Sequence, residues 1–302
     1  VAARFPDGRL HLQHGPIDLV IGAEGAPDAV ERAYAAAASR FRDILEVLVA
    51  ELPLLRRPVQ EAAPALRGPV ARRMAAACLP FSRRFITAMA AVAGAVADEV
   101  MAAMAAAAPL ARGYVNNGGD MALHLSPGTA FAVGLVANPE APSHDGTITI
   151  RHDMPVRGVA TSGWRGRSQS LGIADSVTVL AATGAAADAA ATMIANAVRA
   201  DHPAVIRRPA CEVKDDSDLG DRPVTVSVGP LPPEVVAAAL DAGCACAEDC
   251  RQRRLITGAV LVLQGRARVV GASAAGELAG PPGAPGIMGR EGLRWPHGSA
   301  GF

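Results

Sequence analysis

Helix-type and strand-type periodicities fall in separate blocks along this 302-residue chain instead of taking turns. That segregation constrains the fold more than any other feature. Blocks of one kind point to an α+β architecture with a largely antiparallel sheet packed with helices. Leu10, Leu12, Ile17, Leu19 and Ile21 recur with a period of two around Gly15-Pro16, giving two short strands between Arg9 and Gly22. Helical patterns follow over residues 28–51, 70–78 and 87–104. From Tyr114 to Leu180 the texture changes to short β-type runs at 130–136, 147–150 and 177–180, split by glycine-rich turns. A helix over 185–198, a strand over 224–228 and a helix over 233–250 come next. A hairpin of 256–263 and 267–270, turning at Gln264-Gly265, closes the pattern.

No linker interrupts this stretch, so residues 1–272 are expected to form one domain. A chain of this length buries a full core without disulfides or a structural metal. Residues 273–302 are rich in glycine and proline and are expected to be a flexible tail, in which Trp295 is the one candidate anchor. The apolar stretch from Phe85 to Leu110 carries Asp98 and Glu99 at its middle, which makes bilayer insertion costly and a buried alanine-rich helix the better reading.

Charge and composition then exclude whole classes of partner. The 29 basic residues balance 29 acidic ones, and all but Lys214 of the basic set are arginine, so lysine chemistry has a single candidate outside any known motif. Scattered arginines and few aromatics offer neither a phosphate-backbone footprint nor a base-stacking platform, so nucleic acid is not an expected partner, and neither is a membrane. Arg4, Asp7 and Arg9 stand where a secretory leader would be apolar, and the five cysteines are an odd number, so a reducing cytoplasmic setting is expected. Cys244, Cys246 and Cys250 lack a fourth ligand at zinc spacing and read as small apolar residues on a helix.

Four segments carry polar or glycine residues that a plain core does not need. Tyr114-Val-Asn-Asn-Gly-Gly-Asp120 runs a strand into a bare turn where a ligand can approach the backbone, although an ordinary strand-end turn has the same look. The segment from Ala160 to Gly172 gathers three glycines, four hydroxyls and two arginines, a combination suited to a pyrophosphate or to a solvated loop. Within the helix from Ala185, Asp188 and Thr192 lie four apart on one face with Asn196 continuing the stripe, and oxygen ligands so stacked suit Mg²⁺, although an ordinary exposed helical Asp has the same pattern. Asp215-Asp-Ser-Asp-Leu-Gly-Asp221 lacks calcium-loop spacing and reads as a solvated turn. The histidines form no metalloprotease motif, and no Gly-x-Ser-x-Gly elbow is present.

Several motifs in fixed order resemble the ApbE-like superfamily of FAD:protein FMN transferases, and more closely an uncharacterised branch of it. They are Gly15-Pro-Ile-Asp-Leu19, Met89-Ala-Ala-Val-Ala-Gly-Ala-Val-Ala-Asp98, Tyr114 to Asp120, Ala160-Thr-Ser-Gly163, Ser170-Leu-Gly-Ile-Ala-Asp175 and Ala187-Asp-Ala-Ala-Ala-Thr192, spanning residues 9–272. The resemblance implies an ApbE-like, T-fold-related fold and a Mg²⁺ site at Asp188 and Thr192. It also implies a site for FAD or FMN lined by Gly118, Gly119, Ser162 and Gly163, to which the segments around them are expected to add Asn116, Asn117, Asp120, Thr161, Arg167, Ser168, Ser170, Gly172 and Asp175. Two departures stand out. Ala93 occupies the place of a transferase lysine, and the stretch from Ser170 to Asp175 lacks the histidine that precedes an Asp-Pro in the transferases.

The expected function is therefore Mg²⁺-dependent binding of a flavin nucleotide, a small anionic ligand, with flavin transfer or FAD pyrophosphate cleavage as the reaction if the protein is an enzyme. No catalytic residue is assigned. The alternative is a non-catalytic or repurposed scaffold that binds another small anionic metabolite or a protein partner. A homo-oligomer and a protein acceptor are both compatible with the sequence.

Overall fold

The structure is a computed structural model that describes residues 1–60, 65–135, 146–271, 276–279 and 293–294. Three strands come first, β1 (Ala2–Arg4), β2 (Leu10–His14) and β3 (Ile17–Glu24), then four helices, α1 (Pro27–Phe41), α2 (Ile44–Leu55), α3 (Pro69–Cys78) and α4 (Val92–Ala107). Six strands follow: β4 (Arg112–Asn117), β5 (Asp120–Leu125), β6 (Ala130–Leu135), β7 (Gly146–Arg151), β8 (Gly158–Ser162) and β9 (Ser176–Ala181). The remainder is α5 (Gly184–Ala197), β10 (Val205–Pro209), α6 (Ala210–Val213), β11 (Pro223–Val228), α7 (Pro233–Gln252), β12 (Gly258–Leu263), β13 (Arg266–Val270), β14 (Gly276–Ala279) and β15 (Leu293–Arg294).

Ten strands make one sheet in the order β1-β2-β3-β4-β5-β8-β9-β12-β13-β15, and every pairing in it is antiparallel. A three-stranded sheet, β14-β7-β6, covers part of one face. Between the two sheets lies a small apolar cluster that includes Leu123, Leu125, Ile148, Ile150 and Val260. The helices cover the other face and share the main core with it. The α+β class and antiparallel sheet expected from the block pattern are what the structure has. The period-two residues Leu10, Leu12, Ile17, Leu19 and Ile21 are all buried, and the turn between their strands has Gly15 at φ +54°.

The alanine-rich helix is the keel of the molecule. Residues Ala88–Ala107 are long and apolar enough to cross a membrane, but α4 is packed inside the fold against α1, α3 and α5. Its crossing with α5 is as close as two backbones allow. A Cβ added to Gly94 would stand 2.2 Å from the Gly184 carbonyl oxygen. The two acids that interrupt the apolar stretch are used within the fold. Asp98 accepts hydrogen bonds from the Gly184 and Ala185 amides (2.7 and 2.8 Å), which caps α5, and Glu99 pairs with Arg40 and Arg73 (both 2.9 Å).

Three boundaries differ from the sequence pattern. The single helix over 28–51 is two helices, because the chain bends at Arg42-Asp43, where Arg40 pairs with Asp43 (2.6 Å) and both Phe41 and Ile44 stay buried. The helix over 87–104 opens with a tight turn at Ala88–Ala91 before α4 begins. Strands β1, β5, β8 and β10 and the short helix α6 are additions, β8 taking in Ala160 to Ser162, which the sequence pattern assigns to a loop. Most of the tail from 273 lies outside the described residues, as does Trp295. The two short strands β14 and β15 are its described parts, and they pair with β7 and β13.

Candidate functional site

Where the β4–β5 hairpin, β6, β8, β9 and the flank of α5 meet, they enclose a cavity of about 800 Å³. This is toward the upper end of the range for ligand cavities. One wall is apolar and aromatic: Tyr114 meets Phe131 edge to face at 6.0 Å, with Met121 and Leu123 beside them. The rest is polar. Asn116, Asn117, Gly118, Gly119, Asp120, Thr161, Ser162, Gly163, Arg167, Ser168, Asp175, Asp188 and Thr192 all line this cavity, so segments far apart in sequence share one space. Ser170 and Gly172 do not line it. Ser170 is buried and accepts a hydrogen bond from the Gly172 amide (3.2 Å), and a Cβ on Gly172 would collide with the Ala195 carbonyl.

The hairpin turn is built by its side chains as much as by its glycines. Asn116 Oδ1 accepts the Gly119 amide (2.8 Å), the buried Asn117 donates through Nδ2 to the Ala93 carbonyl (3.2 Å), and Gly118 and Gly119 sit at φ +66° and +110°. The Arg167 guanidinium occupies the space over Gly118 and makes no hydrogen bond to protein among the described residues, so its donors are available to a ligand. Asp175 is the opposite case. Its Oδ1 accepts from Trp164 Nε1 (3.2 Å) and Arg165 Nε (2.9 Å), and its Oδ2 accepts from the Gln264 amide (2.6 Å), so this carboxylate fastens the loop. Asn196 likewise pins the Leu171 amide (2.9 Å).

At the inner end of the cavity stand two acids. Burial pushes the Asp120 carboxyl up to about 7, against the pull of the Thr161 amide (3.1 Å) and Arg167. Asp188 is driven well above the ordinary carboxylate range by burial and by repulsion from Asp120, although its Oδ2 accepts the Gly94 amide (3.0 Å). Thr192 follows Asp188 one helical turn along. No group of three or more His, Cys, Asp or Glu side chains able to hold a metal forms among the described residues. The donor set is therefore two carboxylates and a hydroxyl, hard oxygens whose chemistry fits a divalent cation. Such a set suits Mg²⁺, which keeps waters and ligand oxygens in its shell.

A second, smaller chamber of about 260 Å³ meets the cavity at the same place. The two share Ala93, Asp120, Arg167, Ser168, Asp188 and Thr192. Its further walls include Thr87, Gln169 and the acidic segment at 216–218, part of a largely exposed turn, as its sequence suggests, that is also tied to the fold. Thr87 donates to Asp218, Ser217 to Gln169 Oε1 (2.5 Å) and Arg56 to Asp216 (3.3 Å). Sequence reasoning also missed the Tyr114–Phe131 wall. The one available signal was that Tyr114 and Asn116 share a strand face.

A family model described as AbpE bacteria matches residues 2–269. A UPF0280 protein of Methanopyrus kandleri is 36% identical over 176 residues, covering 56% of this chain and 68% of its own length. A UPF0280 protein of Methanosphaerula palustris is 35% identical over 159 residues, 52% of this chain and 65% of its own. About a third of each relative thus lies outside the match. Among solved structures, a variant of the flavin transferase ApbE from Vibrio cholerae aligns with 88% of this chain and 98% of its own, at TM-score 0.38 and 12% identity, too remote a likeness to bear on chemistry.

Proposed function

The chain belongs to the AbpE bacteria family, and we propose that it binds a flavin nucleotide, FAD or FMN, together with Mg²⁺. The observation that carries this reading is the pair Asp120 and Asp188: two carboxylates held at high proton affinity by burial, at the inner end of a cavity whose outer wall is aromatic. Asp188, Thr192 and Asp120 would hold the ion, which when bound supplies Lewis-acid stabilisation of phosphate charge. Arg167, whose guanidinium makes no hydrogen bond to protein among the described residues, offers its donors to a phosphate, and Tyr114 and Phe131 offer a face and an edge to a planar ring. The hydroxyls of Thr161, Ser162 and Ser168 and the bare turn at Gly118-Gly119 serve the polar middle of the ligand. All five cysteines are free, which suits a reducing cytoplasm.

If the bound nucleotide reacts, the reaction class is flavinyl transfer to an acceptor or cleavage of the FAD pyrophosphate. A specific observation also favours a second reading. Ala93 lines the cavity where the transferases carry a lysine, and no histidine stands in the segment from Ser170 to Asp175, so a scaffold that only binds a small anionic metabolite accounts for the same residues. Flavin fluorescence titrations with and without Mg²⁺, followed by assay for FMN and AMP, separate the two. The flavin reading requires affinity that depends on Mg²⁺ and is lost in Asp188→Ala. Absence of flavin binding by the wild-type protein would reject it.

A further inference from the structure

Resting on the flavin-nucleotide reading, we infer that the 260 Å³ chamber is where the nucleophile enters, and that Asp218 takes its proton. Displacement at phosphorus runs in line, with attacking and leaving oxygens on opposite sides of the transferred group. Two cavities that meet at Asp120, Asp188 and Thr192 provide those two sides. The larger has room for the nucleotide. The smaller has about a third of the larger one's volume, room for water or a slim hydroxyl group.

The chamber also contains a carboxylate suited to proton transfer. Asp216 is engaged by Arg56, whereas Asp218 uses Oδ2 to accept the hydroxyl of the buried Thr87, and its Oδ1 has no protein hydrogen-bond partner among the described residues. The segment is held by Ser217 on Gln169, so Asp218 is a fixed group. In the step, the oxygen of the entering hydroxyl forms a bond to the flavin-side phosphorus and the bridging P–O bond breaks. AMP leaves with the electron pair, and the hydroxyl proton passes to Asp218. Water gives FMN and AMP; an alcohol gives a flavin phosphodiester and AMP.

The test uses the full chain with FAD and Mg²⁺ and two substitutions, Asp218→Asn to remove the base and Ala90→Leu to fill the chamber, since Ala90 lines it. Both variants are expected to bind FAD within about twofold of wild type while FMN formation falls by about 100-fold or more. In ¹⁸O-water the label should enter FMN and not AMP. A crystal structure of the FAD complex gives a readout independent of turnover: the chamber should contain only solvent. Adenosine in the chamber, label in AMP, or unchanged FMN formation in both variants would overturn the proposal. FAD binding without turnover by wild type overturns it too and leaves the binding reading standing, whereas absence of FAD binding defeats the functional reading itself.

Discussion

The Arg167 guanidinium lies across Gly118 so closely that a Cβ on the glycine would stand 1.9 Å from Nη2. The turn residue and the arginine are thus one device, since the bare backbone gives the guanidinium its position in the wall shared by the two chambers. Gly118→Ala must move Arg167 and also places a side chain at φ +66°. A loss of about 1–2 kcal/mol in stability is expected, together with weaker binding of phosphate-bearing ligands. Arg167→Ala should weaken the same ligands without the stability loss, and adding Gly118→Ala to it should cost less affinity than on the wild-type background. Denaturant melts and ligand titrations on the four proteins check this, and strict additivity of the affinity losses would contradict it.

The contact of α4 with α5 depends on Gly94 and Asp98. Gly94→Val would drive a branched side chain into the Gly184 carbonyl, and Asp98→Ala would leave the Gly184 and Ala185 amides without their acceptor. Each is expected to lower stability by about 2–3 kcal/mol. Asp98→Asn retains one acceptor oxygen and should fall between wild type and alanine. Chemical denaturation distinguishes these, and an Asn variant no better than Ala would show that charge rather than the hydrogen bond holds the helix end.

How much of this was legible in the sequence follows from the range of the forces involved. Period-two and helical patterns are local, so the strands of Leu10 to Ile21 and the helices α3, α5 and α7 could be read within a residue or two. The break at Arg42-Asp43 could not, because it is set by where Phe41 and Ile44 find the core. In the site, the oxygen stripe of Asp188 and Thr192 was visible as helix geometry. That Asp120 would face it could be proposed as a nucleotide contact, but the pairing of the two acids depends on the sheet bringing the β4–β5 turn over α5. That Asp175, Ser170 and Asn196 hold the loop could not be read, because polar residues in a glycine-rich stretch look alike whether they face a ligand or fasten the chain. The turn at 216–218 was legible, but its anchors, Arg56, Thr87 and Gln169, were not, because they are distant in sequence.

Cys246 is unlike an ordinary helical cysteine. A hydrogen bond from Cys250 and then the Arg84 guanidinium, whose Nη1 is 3.4 Å from the sulfur, bring its thiol down to about 6, while Cys250 is pushed up. A folded-state value below the unfolded one, near 9, contributes stability that is complete above pH 9 and is lost as pH falls through 6. Ultraviolet thiolate absorbance of the native protein should therefore titrate near pH 6, disappear in Cys246→Ser, and move toward higher pH in Arg84→Ala. A native titration near 9 would refute the assignment.

The pair Asp120 and Asp188 predicts an unusual pH response of the metal-free protein. Asp120 is raised to about 7 in the folded state, so its contribution favours folding below the ordinary carboxylate range and is lost as pH rises through 7. Metal-free protein should then melt at lower temperature at pH 8 than at pH 6, as Asp120 ionises in its buried place beside Asp188. Mg²⁺ favours the charged pair, so its stabilising shift should grow over the same interval. Asp188→Asn removes the carboxyl that burial and Asp120 both penalise, and it should raise the metal-free melting temperature at pH 8 while abolishing the Mg²⁺ shift, the usual signature of a binding site held at the expense of stability. Thermal melts of both proteins at the two pH values, with and without Mg²⁺, test this. A variant that is destabilised at pH 8 and still responds to Mg²⁺ would place the cation elsewhere.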